Sequence, residues 1–174
     1  MSPNLQLIAQ RHGVATDIID IEARFTQPTD TGDIEGVAVR FNVVDTYRTE
    51  FAATAFASIE GRSIPMLWSH DPAQVIGSWS GFQVRADGLT AKGKLNLNVA
   101  RAQEVRALLQ AGDVSGLSIG FSTLKDERRA GGVRRITEAR LHEISIVAFP
   151  AVPGSGITAV RNDASAFTRA VTGA

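Results

Sequence analysis

Val75–Leu97, VIGSWSGFQVRADGLTAKGKLNL, decides the fold class. It is a run of short stretches in which apolar and polar residues alternate, broken at Gly81 and at Asp87-Gly88. A period of two marks strands with one buried face. Asp-Gly, set between Phe82-Gln-Val84 and Leu89-Thr-Ala91, predicts a two-residue hairpin turn there. Outward from this hairpin the same period recurs. Ile18 to Phe25 reads as a strand, and Ile34 to Val43 as another whose Gly36 marks a bulge. Ile64 to Trp68 is a short apolar run interrupted by Pro65, which places it at a sheet edge or strand end. Leu117 to Leu124 and Arg134 to Phe149 read as strands joined by the polar stretch Asp126 to Gly132.

Two segments carry the helical period instead. Phe51 to Ile59, with Thr49 as its cap and Gly61 as its stop, puts Ala52, Ala55, Phe56 and Ile59 on one face. Val99 to Gln110 turns Ala102, Val105 and Leu109 inward with Leu108 beside them, turns Arg101, Glu104 and Arg106 outward, and ends at Gly112. Ala164 to Val171 reads as a weak helix or as part of a tail. Many short strands with two helices predict an α+β fold, an antiparallel β-barrel or sandwich decorated by helices, in place of alternating βαβ units.

Composition narrows the chemistry. The 174 residues hold 18 Lys+Arg, 18 Asp+Glu, 3 His and no Cys. A chain of this length buries roughly 70 % of its extended surface and needs no disulfide or metal staple. The absence of cysteine removes thiolate nucleophiles, thiolate-bound zinc and iron–sulfur clusters. Zero formal charge argues against an electrostatic grip on nucleic acid. No apolar run reaches the roughly 20 residues that span a bilayer, and Met1 to Arg11 has no basic stretch leading into an apolar one, so neither a membrane span nor a signal peptide is expected. HExxH, GxxxxGK[ST] and a GxGxxG following a strand are all missing, so neither a metal nor a nucleotide cofactor is expected.

Acid–base work must then come from His12, His70 or His142. His12 sits in a polar N-terminal stretch, His70 where a strand gives way to a turn, and His142 within a strand. A nucleophile must be a hydroxyl. Ser118 stands in Gly116-Leu-Ser-Ile-Gly120, where the glycines would let a substrate approach the backbone and leave the hydroxyl uncovered. The pattern lacks the strand-to-helix context of a nucleophile elbow, and a strand serine crowded between glycines fits it as well. Asp71 and Glu143 each adjoin a histidine, and a carboxylate can fix an imidazole tautomer. Sequence neighbours rarely have the geometry for that, which favours Glu143 over Asp71 as the partner of His70. The Arg128-Arg129 and Arg134-Arg135 pairs read as a solvated loop balanced by Asp126 and Glu127.

Taken in order, several blocks point further: Gly36-Val-Ala-Val-Arg-Phe-Asn42, Glu50-Phe-Ala-Ala-Thr-Ala-Phe56, Pro65-Met-Leu-Trp-Ser-His-Asp-Pro72 with Ile76-Gly77, Ala107-Leu-Leu-Gln-Ala-Gly-Asp113, Ser115-Gly-Leu-Ser-Ile-Gly-Phe121, and Leu141-His-Glu-Ile-Ser-Ile-Val-Ala-Phe-Pro150. Together they resemble the prohead (procapsid) maturation proteases of tailed bacteriophages, over Ile18 to Pro153. The resemblance implies a serine endopeptidase related to the herpesvirus assemblin type, with an antiparallel β-barrel surrounded by a few helices. It makes residues 18–153 the protease domain, 1–17 an N-terminal segment and 154–174 an Ala/Gly/Ser-rich tail.

By position, the resemblance implies Ser118 as nucleophile, His70 as general base and Glu143 as third member. His142, one residue away, is the alternative third member, because the herpesvirus relatives use a second histidine there. On a regular strand the two side chains point to opposite faces, so only one can serve. The Ile119 amide, with one from a loop after Leu124, is the expected oxyanion donor. The implied substrates are phage scaffold and major capsid protein, and the chain itself, inside the prohead assembling in the host cytoplasm, with the gene carried by phage or prophage. A homodimer is expected by analogy with the viral relatives. The competing expectation is a catalytically inactive barrel serving as a capsid-assembly or scaffold component.

Overall fold

A computed structural model describes residues 17–21, 25–26, 28–45 and 47–148. The strands are β1 (Asp17–Ile21), β2 (Phe25–Thr26), β3 (Asp33–Arg40), β4 (Thr49–Phe51), β5 (Ile64–Trp68), β6 (Asp71–Val84), β7 (Gly88–Leu95), β8 (Gly116–Arg128) and β9 (Arg134–Val147). Helix α1 (Ala100–Ala111) lies between β7 and β8, and a 3-10 turn at Ala130–Gly132 joins β8 to β9. All nine strands form one sheet in the order β1-β8-β9-β5-β6-β7-β3-β2, with β4 added beside β9. The edge strands β1 and β2 are separated in the chain by residues 22–24 alone, so one segment serves both ends of the order and the sheet is strongly curled. The fold is mostly β with one α-helix among the described residues, consistent with α+β.

The hairpin forms where the alternation places it. Val84 pairs with Leu89, and Arg85 N–H bonds the Gly88 carbonyl at 2.8 Å, so the two-residue loop is Ala86-Asp87, one step earlier than Asp-Gly. Helix α1 also matches: Ala102, Val105 and Leu109 are buried, and Gly112 (φ 80) closes the C-terminus in the left-handed conformation. These residues meet a core built on Trp79, Leu89, Leu95, Leu117, Ile119, Phe121 and Ile144, with Phe51 edge-on to Phe121 at a centroid distance of 5.1 Å.

Four expectations are corrected. The sheet is mixed, because β4 and β5 run parallel to β9. Ile64–Trp68 is internal, between β9 and β6. Only the edge alternative fails: Pro65 is the second residue of the strand, exposed, and the ladder with β9 starts only at Met66. Phe51 to Ile59 is not a helix. Phe51 pairs with Ile136, Ala52 N–H bonds the Ile136 carbonyl, and Ala139 N–H takes the Ala55 carbonyl, so β9 claims backbone groups that an α-helix would need. What remains is a chain of i→i+3 turns, though Ala52, Ala55, Phe56 and Ile59 are buried as the pattern requires. The irregularity in β3 falls between Val37 and Val39, not at Gly36, which pairs with Ala91. Ala164 to Val171 and most of the N-terminal segment lie outside the described residues.

Candidate active site

His70 sits in a two-residue turn of the sheet. Trp68 pairs with Asp71, so Ser69-His70 is the whole loop between β5 and β6, and both residues have positive φ (52 and 59). This is the backbone of a type I′ hairpin turn, which normally takes Asn or Gly. A non-glycine residue held there costs about 1–2 kcal/mol. Two bonds from β9 hold the turn in place: Ser69 N–H donates to the Ile146 carbonyl at 3.0 Å, and His70 N–H to Ser145 Oγ at 3.1 Å. The parallel pairing of β5 with β9, Met66 against Ile144 through Trp68 against Ile146, brings the turn to that point.

Ser118 lies across β9 from the turn. Its Cα is opposite Ser145 in the β8–β9 ladder, and the residue is fully buried. Ser118 Oγ is 2.6 Å from His70 Nε2, and His70 Nδ1 is 2.6 Å from Glu143 Oε1. One tautomer satisfies both contacts: Nδ1–H donates to the carboxylate, which leaves the Nε2 lone pair to accept from the Ser118 hydroxyl. The second carboxylate oxygen, Oε2, accepts from Ser145 Oγ at 2.6 Å. Only 13 % of the His70 side chain and 10 % of the Glu143 side chain is exposed, so water screens this chain of bonds weakly.

The glycine after Ser118 has a different purpose from the one its motif suggests. Ser118 is buried, so the motif does not leave its hydroxyl uncovered. Gly120 instead pairs with Glu143, and a Cβ built there would stand 2.5 Å from Glu143 Oε1 and 3.0 Å from its Cγ. Its missing side chain is the space the carboxylate occupies.

A bulge also changes the reading of His142. The register passes from Gly120–Glu143 to Phe121–Leu141, so His142 is an extra residue on β9 with no opposite number. Strict alternation fails there, and Glu143 and His142 both reach the face of β8 that carries Ser118 and Ser122. His142 Nε2 lies 2.6 Å from Ser122 Oγ, four residues along β8 from the contact between His70 and Ser118. Opposite faces, the reason given above for only one of them serving, therefore does not apply.

The remaining candidates fall elsewhere. Asp71 Oδ1 accepts the Ala73 N–H at 2.9 Å, and His12 is outside the described residues. Ile119 lies between β1 and β9, opposite Ile19 and Ile144, so its amide is committed to a ladder. Strand β8 continues through Leu124 to Arg128, which leaves no loop there to supply a second donor. Among the described residues no cluster of three His, Asp or Glu is placed to hold a metal ion. Sequence reasoning missed Ser145, although the Glu-x-Ser spacing puts both side chains on one face of β9 and so carried the signal.

Comparison with known proteins supplies the context. The family model described as caudovirus prohead serine protease matches residues 19–170. The chain is 30% identical over 149 residues to the prohead protease of Enterobacteria phage HK97, a match covering 82% of this chain. It covers 66% of that relative, so this chain spans slightly less than two thirds of the HK97 protein's length. Among solved structures, the bacteriophage T4 capsid assembly protease shares the fold with a TM-score of 0.59 at 13% identity, over 78% of this chain and 98% of that one.

Proposed function

The chain belongs to the caudovirus prohead serine protease family, and from that premise we propose that it is a serine endopeptidase of phage prohead maturation, with Ser118 as nucleophile, His70 as general base and Glu143 as the third member. The observation that carries this reading is the unbroken line Ser118 Oγ–His70 Nε2, His70 Nδ1–Glu143 Oε1, with both contacts at 2.6 Å and both served by one tautomer.

The mechanism follows from that tautomer. Nε2 takes the Ser118 proton as Oγ attacks the scissile carbonyl, and Glu143 stabilises the imidazolium that results. The imidazolium then protonates the leaving amine. Water repeats the sequence on the acyl-enzyme, with His70 again as base. The tetrahedral oxyanion needs N–H donors from outside the laddered part of β8, since the Ile119 amide would have to give up a sheet bond to serve.

The substrates in this reading are the scaffold and major capsid protein of the assembling prohead in the host cell, and the chain itself. Family membership supports this, as does a structural likeness to the bacteriophage T4 capsid assembly protease. The reading extends to an assemblin-type barrel, supported by a curled sheet whose two edges lie on one segment, and to a homodimer.

Because Ser118 is fully buried, a small reagent suits the first test better than a peptide does. A fluorophosphonate should label the parent protein at Ser118, and Ser118→Ala should abolish cleavage of a scaffold-containing capsid precursor while leaving the fold intact. Undiminished cleavage by Ser118→Ala removes the nucleophile. Absence of both labelling and cleavage in the parent leaves the inactive barrel as the better account.

A further inference from the structure

We infer that Ser145 is a positioning residue for the proposed hydrolysis, holding the acid and the base in register through one hydroxyl; the inference rests on the endopeptidase reading above. Ser145 is fully buried, with its Cα opposite Ser118 on one side and Leu67 on the other. Its hydroxyl makes two bonds of different kinds. It donates to Glu143 Oε2 at 2.6 Å and accepts the His70 main-chain N–H at 3.1 Å.

The first bond fixes the plane of the carboxylate. With His70 Nδ1 on Oε1 and Ser145 on Oε2, both oxygens are held by donors from different elements, and rotation about the last side-chain bond breaks one or the other. The site has no slack on the far side, where even a methyl group at Gly120 would meet Oε1. The second bond fixes the imidazole from its backbone. His70 is held at φ 59, next to Ser69 at φ 52, a conformation that persists only when the surroundings over-determine it. Ser145 Oγ supplies one of the two described bonds from β9 that do so. One atom therefore sets the carboxylate plane and the height of the ring it faces. The bonds Ser145 Oγ makes are to Glu143 and His70, so its effect passes through those two residues.

Ser145→Ala tests this, since it removes one oxygen and adds no bulk. We expect kcat on the capsid precursor to fall about 10- to 100-fold with KM within about threefold of the parent. The fluorophosphonate labelling rate at Ser118 should fall in step. The downfield proton resonance of the His70 Nδ1–H, the signature of a short imidazole–carboxylate bond, should shift or broaden. Thermal unfolding should show the variant folded. A kcat within about twofold of the parent overturns the role, and so does a loss of kcat that leaves the resonance unchanged. Ser118→Ala, run alongside, separates the two ideas. If it cleaves like the parent, the endopeptidase reading fails; if it is inactive while Ser145→Ala is fully active, only the positioning role falls.

Discussion

Strands β8 and β9 form one ladder with two unlike halves, which meet at Thr123, just past the bulge at His142. In the near half, residues 116–122 are all buried, and the polar groups there, Ser118, Glu143 and Ser145, bond to one another and to His70. In the far half, residues 124–128 are exposed and carry ion pairs open to solvent, Lys125 with Glu138 at 2.6 Å and Arg134 with Asp126. Both halves pair antiparallel; the solvent around them differs. In a dry site a charge-assisted hydrogen bond orients its partners strongly, and each group must be matched. In water the same geometry is screened, and an exposed pair contributes little. Chemistry is therefore expected on one side of Thr123 and solubility on the other.

Four substitutions test that division. The largest effect belongs to Glu143→Gln, which keeps the shape but removes the charge facing His70 Nδ1. We expect kcat/KM on the capsid precursor to fall about 100- to 10,000-fold. His142→Gln, at the bulge, should cost less than about 10-fold in the same assay. The reverse ranking would transfer the third role to His142 and move the boundary along the strand. Gly120→Ala comes next. Its Cβ competes with Glu143 Oε1, so the carboxylate must shift, with an expected loss of about 1–3 kcal/mol in denaturant unfolding and a drop in kcat. Unchanged kcat would show that the carboxylate's place is not critical. The smallest effect is across the bulge. Lys125→Ala deletes an exposed ammonium whose pKa is raised by its hydrogen bond to Glu138 and by the carboxylate's charge. Thermal midpoint and kcat/KM should both match the parent within error, and a clear loss of activity would mean that the far half takes part in catalysis.

What could be read from the sequence was local. The hairpin around Ala86-Asp87 and the buried face of α1 follow from period and punctuation, which neighbouring residues determine together. The ordered blocks led to His70, Ser118 and Glu143, which the fold brings within 2.6 Å of one another in turn. What escaped was set by partners far along the chain. Nothing in Ile64–Trp68 announces that its neighbour is a parallel strand some 80 residues later. The backbone groups of Ala52 and Ala55 are claimed by β9, which overrides the helical period around them. Ser69-His70 adopts a turn its residue types do not advertise, because β9 holds both amides. The bulge at His142 left no glycine to mark it, and so the face of that side chain was misjudged.

The parallel placement of β5 against β9 also has a meaning in time. His70 lies near the middle of the chain, while Ser118, Glu143 and Ser145 come off the ribosome only later, and β9 is the scaffold on which all four meet. Pairings of such long sequence separation close late, because the entropy of the intervening loop must be overcome first. A nascent chain that stops short of residue 143 holds a histidine with no acid, and lacks the strand that lies between His70 and Ser118. On the endopeptidase reading, the order of synthesis therefore leaves the site unassembled until the last described strand of the sheet is in place.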